Sequence, residues 1–163
     1  MVGKAWLGIL CGSLLLVAPV VARADAGGPG GGGSSRWDSP QDKQAKAQME
    51  YETGYRYLKA GDYKKAIKSF ESVLKENPSH ALAYSNMGYS YRKLRHYDKA
   101  IELYGKALML DPKLAEAHEY MGEAYLEMGN IAEAKQHLTI LEKLDPKLAE
   151  ALRAEIARHD KKS

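Results

Sequence analysis

The chain has 163 residues, 45% of them hydrophobic and 28% charged, and 24 Lys and Arg against 21 Asp and Glu leave a net charge of +3. Those figures exclude wholesale disorder and a multi-span membrane protein, and so even a charge balance gives no support to nucleic acid binding. Eleven tyrosines stand beside one phenylalanine, and the single cysteine, Cys11, excludes an intramolecular disulfide and a cysteine zinc site.

Residues 1–24 contain no acid. Lys4 forms a short basic head, residues 5–21 carry no charge, and Ala22 and Ala24 flank Arg23 in the A-x-A arrangement of a signal-peptidase site. This is the pattern of a secretory signal peptide. The expectation is an exported protein, periplasmic or secreted from a bacterial envelope, cut after Ala24 or, at Ala24-Asp25-Ala26, after Ala26. The alternative is a retained N-terminal membrane anchor, for which 17 uncharged residues are at the short limit. Cys11 follows Gly8, Ile9 and Leu10 within the apolar run, so it is not a lipoprotein cysteine. Cleavage removes Lys4, Cys11 and Arg23, which lowers the charge from +3 to +1 and leaves no thiol. Residues 25–38 read as a flexible linker because 27–35 are almost entirely Gly and Ser. Such a leash has its clearest use if the leader stays in the membrane.

From about residue 45 the sequence repeats at an offset of 34. Gly54, Gly88 and Gly122 are so spaced, as are Tyr57, Tyr91 and Tyr125, then Ala66, Ala100 and Ala134, then Pro78, Pro112 and Pro146. The octapeptide LDPKLAEA at 110–117 recurs unchanged at 144–151. Each unit reads as two helices. In the middle copy Tyr84, Met87, Gly88 and Tyr91 share one face of a helix over about 79–94, and Ala100, Ile101, Tyr104 and Leu108 share one face of a second that ends near Leu110. Gly88 and Ala100 are expected to be small because two helix backbones approach there. Asn77-Pro78 and Asp111-Pro112 separate hairpins, Gly61-Asp62 and Gly129-Asn130 make internal turns, and Ser39-Pro40 predicts an early start to the first helix.

These residues resemble the tetratricopeptide repeat, whose pattern is an aromatic, Leu-Gly, Tyr, Ala, Phe and a closing Pro. The middle copy matches through Tyr84, Met87-Gly88, Tyr91, Ala100, Tyr104 and Pro112. The first gives Glu50, Thr53-Gly54, Tyr57, Ala66, Phe70 and Pro78, and the third gives His118, Met121-Gly122, Tyr125, Ala134, Leu138 and Pro146. Glu50 and Thr53 depart from the pattern at the open end. The resemblance implies an all-α protein: a right-handed α-solenoid of three helix-turn-helix repeats over 39–146 (about 45–78, 79–112 and 113–146). A capping helix over 147–159 and a tail at 160–163 follow. Leu148 and Leu152 are spaced to pack back on the third repeat, and Ile156 stands where the small glycine would recur.

No catalytic constellation is present. The histidines at 80, 96, 118, 137 and 159 are dispersed, without an H-E-x-x-H pair, and the Gly-rich run lacks the Lys-Ser/Thr of a phosphate loop. No cofactor, metal or catalytic residue is expected, and the chain reads as a binder, not an enzyme. Tyr57, Tyr84, Tyr91, Tyr104 and Tyr125 fall at family core positions, and Tyr63 and Tyr97 are expected to pack in the turns. Tyr51, Tyr55, Tyr89 and Tyr120 remain. By the resemblance they face a concave groove with Asn86, Lys93, Glu116, Glu119, Glu123 and Glu127. The four glutamates are spaced three, four and four and so form one acidic stripe.

The expected partner is a protein or peptide, held by an acidic wall that selects a basic segment and by tyrosine anchors. One subclass of the family grips peptide carboxylates, and its cations and amides would fall at Tyr51, Tyr55, Asn86, Glu116 and Tyr120. Only Asn86 fits, so this chain is not expected to be such a clamp. The alternative function is a self-assembling envelope scaffold, a homo-oligomer whose repeats stack end to end or in which the N-terminal segment with Lys43 and Lys46 meets the acidic groove of the third repeat. A membrane enters only with an uncleaved leader, and nucleic acid is not an expected partner.

Overall fold

A computed structural model of the chain describes residues 39–161. The expected signal peptide and linker, and the last two residues of the tail, lie outside the described residues. Those described form seven α-helices and no strand: α1 (Pro40–Lys59), α2 (Tyr63–Glu76), α3 (Ala81–Lys93), α4 (Tyr97–Leu110), α5 (Ala115–Glu127), α6 (Ile131–Leu144) and α7 (Pro146–Asp160). None of these helices is long and apolar enough to cross a membrane. Three helical hairpins, α1/α2, α3/α4 and α5/α6, stack in order, and α7 packs against both α5 and α6. The first helices α1, α3 and α5 are neighbours in turn, which makes them one layer of the α-solenoid.

The helix starts follow from short polar residues. The Ser39 hydroxyl accepts from the Asp42 amide and Pro40 sits in the first turn, so α1 begins as early as Ser39-Pro40 predicts. Asp62 caps α2 through the Lys65 amide, and Asp145 caps α7 through the amides of Lys147 and Leu148. Helix α3 begins later than expected because the Asn77 side chain takes the Ser79 amide and His80 Nδ1 takes the Ala83 amide. The internal turns need one left-handed residue each. Gly61 (φ 77°) and Gly129 (φ 83°) supply it freely, whereas the middle repeat places Arg95 there (φ 65°) at a cost of roughly 1 kcal/mol.

The repeated glycines are small for a reason other than the expected one. A Cβ on Gly54 would lie 2.8 Å from the Phe70 ring, and one on Gly88 would lie 2.8 Å from the Tyr104 ring. It is an aromatic side chain of the second helix, not its backbone, that occupies the space. The third repeat has Leu138 at the ring position, and its gap is filled from elsewhere: a Cβ on Gly122 would meet Leu152 Cδ2 of α7 at 2.6 Å. Leu152 and Ile156 are buried in the same cluster as Leu126 and Leu141, while Glu150, Arg153 and Arg158 face solvent. Helix α7 therefore completes the core of the third repeat with one face and gives the stack a polar end with the other.

Candidate functional site

Side chains from α1, α3 and α5 line a groove made of adjoining clefts. One, of about 300 Å³, is bordered by Tyr51, Tyr55, Asn86, Glu116 and Tyr120 together with Leu82 and Ser85. A second, of about 440 Å³, is bordered by Tyr89, Lys93, Glu119, Tyr120, Glu123 and Glu127, with Arg92 at its wall and Glu155 and His159 of α7 at its end. Tyr120 belongs to both. All ten residues named from the sequence thus lie along two clefts that share one ring.

The tyrosines divide by packing. Tyr55 is 44% exposed, and Leu82 beside it is 42% exposed. Tyr51 is half-buried: its ring stacks on His80 at 4.8 Å and lies 5.8 Å from Phe70, and its hydroxyl accepts from Asn86 Nδ2 at 3.0 Å. The Tyr89 and Tyr120 rings are 4.9 Å apart, and Tyr120 continues inward to Tyr104 at 6.2 Å. Burial, followed by the charge of Glu119, pushes the Tyr120 hydroxyl up to about 12, so it stays protonated at any physiological pH. Tyr63, expected in a turn, meets Tyr89 edge-on at 6.4 Å and lines the groove next to Tyr55 and Lys59. Lys59 lies over the Tyr55 ring at 5.8 Å, and Lys93 over the Tyr89 ring at 5.9 Å.

The acidic stripe is not a uniform wall. Arg92 of α3 is buried, with 7% of its side chain exposed, and reaches across to α5, where it pairs with Glu123 at 2.6 Å and with Glu127. Its guanidinium also lies 5.2 Å from the centre of the Tyr89 ring. Two of the four carboxylates are therefore held by a cation from the preceding repeat. This explains how like charges are tolerated at helical spacing. Glu116 and Glu119 have no ion-pair partner among the described residues. Burial, then the charges of Glu123 and Glu116, push the Glu119 carboxyl up to about 7. Sequence reasoning passed over Arg92 because charged residues are read as exposed. The signal lay 35 positions on, where Glu127 stands at the spacing that also joins Tyr51 to Asn86. Lys46, invoked for docking onto a second copy, is paired with Glu76 at 2.7 Å.

One polar pair lies off the groove. His118, in place of a family aromatic, is buried and brings Nδ1 to 3.0 Å from His137 Nδ1, with its Nε2 3.1 Å from the Pro112 carbonyl. Because the carbonyl can only accept, His118 carries its proton on Nε2. With both rings neutral, His137 donates from Nδ1 to the bare Nδ1 of His118.

A family model described as TPR repeat matches twice, at residues 54–94 and 88–129, and one described as tetratricopeptide repeat matches 116–154. No curated protein matches the chain. Among solved structures, the second TPR of Spaghetti (RPAP3) bound to the HSP90 peptide SRMEEVD is 28% identical, with a TM-score of 0.61 over 65% of this chain and 97% of that one. The TPR2B domain of yeast Sti1 in its pHsp70 complex is 22% identical, with a TM-score of 0.67 over 73% of this chain and 99% of that one. The type III secretion translocator chaperone SycD of Yersinia enterocolitica is 20% identical, with a TM-score of 0.66 over 72% and 94%. The last two likenesses are likenesses of fold. Repeat register, helical architecture and matched family models agree, and the chain belongs to the tetratricopeptide-repeat family.

Proposed function

We propose that the chain is an exported, non-enzymatic adaptor that holds a peptide or helix of a partner protein in its concave groove. The observation that carries this reading is the pair of clefts joined at Tyr120, which exposes an aromatic floor beside two carboxylates with no cation of their own. Tyrosine offers a large contact area at little conformational cost, which suits recognition of a flexible segment. A related repeat domain supports the reading, since the second TPR of RPAP3 is seen with an HSP90 peptide. The leader of residues 1–24 supports export. For one short segment in a groove of three repeats, the expected affinity is micromolar, roughly −8 kcal/mol.

The test is capture of a partner from the native envelope fraction by crosslinking, with the wild type and with Tyr55→Ser combined with Glu119→Lys. Both side chains reach the groove without an ion pair to lose, whereas Glu123→Lys would strand Arg92 and confuse binding with folding. Capture should be lost while the circular dichroism is unchanged. Undiminished capture sinks the groove reading, and no capture by the wild type sinks the adaptor. The mass of the mature N-terminus tests export: a start at Asp25 or Gly27 supports it, and an intact Met1 restores the anchor.

A further inference from the structure

The smaller cleft has a chemistry of its own. Its rim and floor are rich in hydrogen-bond acceptors. Among the described residues the Glu116 carboxylate has no cation, and Asn86 spends its amide on the Tyr51 hydroxyl, which leaves its side-chain carbonyl oxygen unpaired. Ser85 is 1% exposed, lines the same cleft, and has a buried hydroxyl with no hydrogen-bond partner among the described residues. The unpaired Asn86 carbonyl and the Glu116 carboxylate favour an occupant that brings hydrogen-bond donors with it. The walls are apolar: exposed Leu82 on one side, the Tyr51, Tyr55 and Tyr120 rings on the others.

Several occupants can be set aside by charge and burial. An anion would meet Glu116 and, one turn on, Glu119. A purely aliphatic side chain would cover the Glu116 carboxylate and the Asn86 carbonyl with hydrocarbon. A basic side chain satisfies both halves, because its methylene stem packs on Leu82 and the rings while its head donates to acceptors and lies against aromatic faces. The five clefted positions are also those where the carboxylate-gripping subclass would need cations and amides. Here they hold three tyrosines, one glutamate and Asn86, so the sign of the site is reversed.

We propose that the cleft of Tyr51, Tyr55, Asn86, Glu116 and Tyr120 is a socket for one arginine or lysine side chain of a protein partner. The cationic head sits on Glu116 and the stem on Leu82. This rests on the groove reading above and adds to it the residue that anchors the partner.

The test is an amide NMR titration of the full chain near pH 7.5 with capped pentapeptides Ac-Ala-Ala-Xaa-Ala-Ala-NH2, in which Xaa is arginine, citrulline or aspartate. The arginine peptide should shift the amides of Leu82, Ser85 and Tyr120 and bind about tenfold tighter than its neutral citrulline twin, equivalent to about 1.4 kcal/mol. Glu116→Gln, which keeps shape and removes charge, should erase that preference without altering the remaining spectrum. Equal binding of citrulline, binding of aspartate, no shift with any peptide, or a preference that survives Glu116→Gln overturns the proposal. A further arm uses n-butylguanidinium. If it binds as tightly as the arginine peptide, the socket takes a free small cation, and the protein partner is overturned. The outcomes separate from those of the capture assay. Capture indifferent to Tyr55 and Glu119 refutes the groove, while a socket indifferent to arginine in a groove that still captures refutes this inference alone.

Discussion

Gly122 and Leu152 allow a quantitative test of why the repeat glycines are small. A methyl at Gly122 would stand 2.6 Å from Leu152 Cδ2 and 3.2 Å from Cδ1, against a comfortable carbon contact of about 3.5–4.0 Å. Leu152 would have to retreat by about 1 Å to restore that contact, and at 1% exposure it has no open side to retreat into. Overpacking of this kind costs about 1–3 kcal/mol, and alanine's better helix propensity returns about 1 kcal/mol. Gly122→Ala alone should therefore destabilise by roughly 0–2 kcal/mol. Leu152→Ala alone should cost about 2–5 kcal/mol, since it empties the cluster around Leu126 and Leu141. In the Leu152→Ala background the added methyl enters vacated space, and Gly122→Ala should become stabilising by about 1 kcal/mol. Urea unfolding of the four proteins, followed by circular dichroism, gives the coupling directly. Effects that add within about 0.5 kcal/mol would falsify the side-chain explanation and return the glycine to the backbone-approach reading.

Two further predictions concern buried charge. Burial and the neighbouring His118 hold the His137 imidazole down at about 4, against about 6.5 in an unfolded chain. The folded state thus binds fewer protons, so this contribution is whole above pH 6.5 and lost as the pH falls toward 4. Discounted for the solvent-facing part of the ring, it is worth about 2 kcal/mol. His137→Gln should flatten the pH dependence of the urea midpoint between pH 7.5 and 5, and an unchanged slope refutes the assignment. Glu119 acts in the opposite sense, because its raised carboxyl lets stability rise as the pH falls from 7 toward 4.5. The comparison is therefore made between variants, not between pH values alone. Arg92→Met should destabilise at neutral pH by about 3–5 kcal/mol, because it leaves Glu123 half-buried without its cation. Guanidinium denaturation checks this, and a loss under about 1 kcal/mol would mean that the pair behaves as a surface ion pair.

What the sequence makes legible is whatever recurs with the repeat. The offset of 34 in Gly54, Gly88 and Gly122, and in Ala66, Ala100 and Ala134, carries hairpins and family, and Ser39-Pro40 carries the start of α1. The same offset places Tyr55, Asn86 and Tyr120 on first helices. It says little about what stands across from a residue in the next repeat, because that depends on how far each hairpin turns and slides against its neighbour. Arg92 was missed for this reason: on its own helix it is a cation near a C-terminus, and only the position of α5 makes it a buried counter-ion for Glu123 and Glu127. Tyr63 was missed because the turn-facing start of α2 and the groove edge are the same place once the hairpin closes. Leu152 was expected to pack back on the third repeat, but its role above Gly122 could not be read, since Leu138 already stood at the ring position in sequence.

The third hairpin draws on both neighbours, with Arg92 supplied from behind and Leu152 from ahead. Repeat proteins are often treated as strings of interchangeable beads, to be lengthened by copying a unit or shortened by deleting one. This unit cannot be transplanted in that way. Inserted after a hairpin without the arginine it would bring carboxylates with no counter-ion, and placed last without α7 it would open a hole above Gly122. The order of these units is thus written into their side chains: the second hairpin, the third and the terminal helix belong together in that sequence.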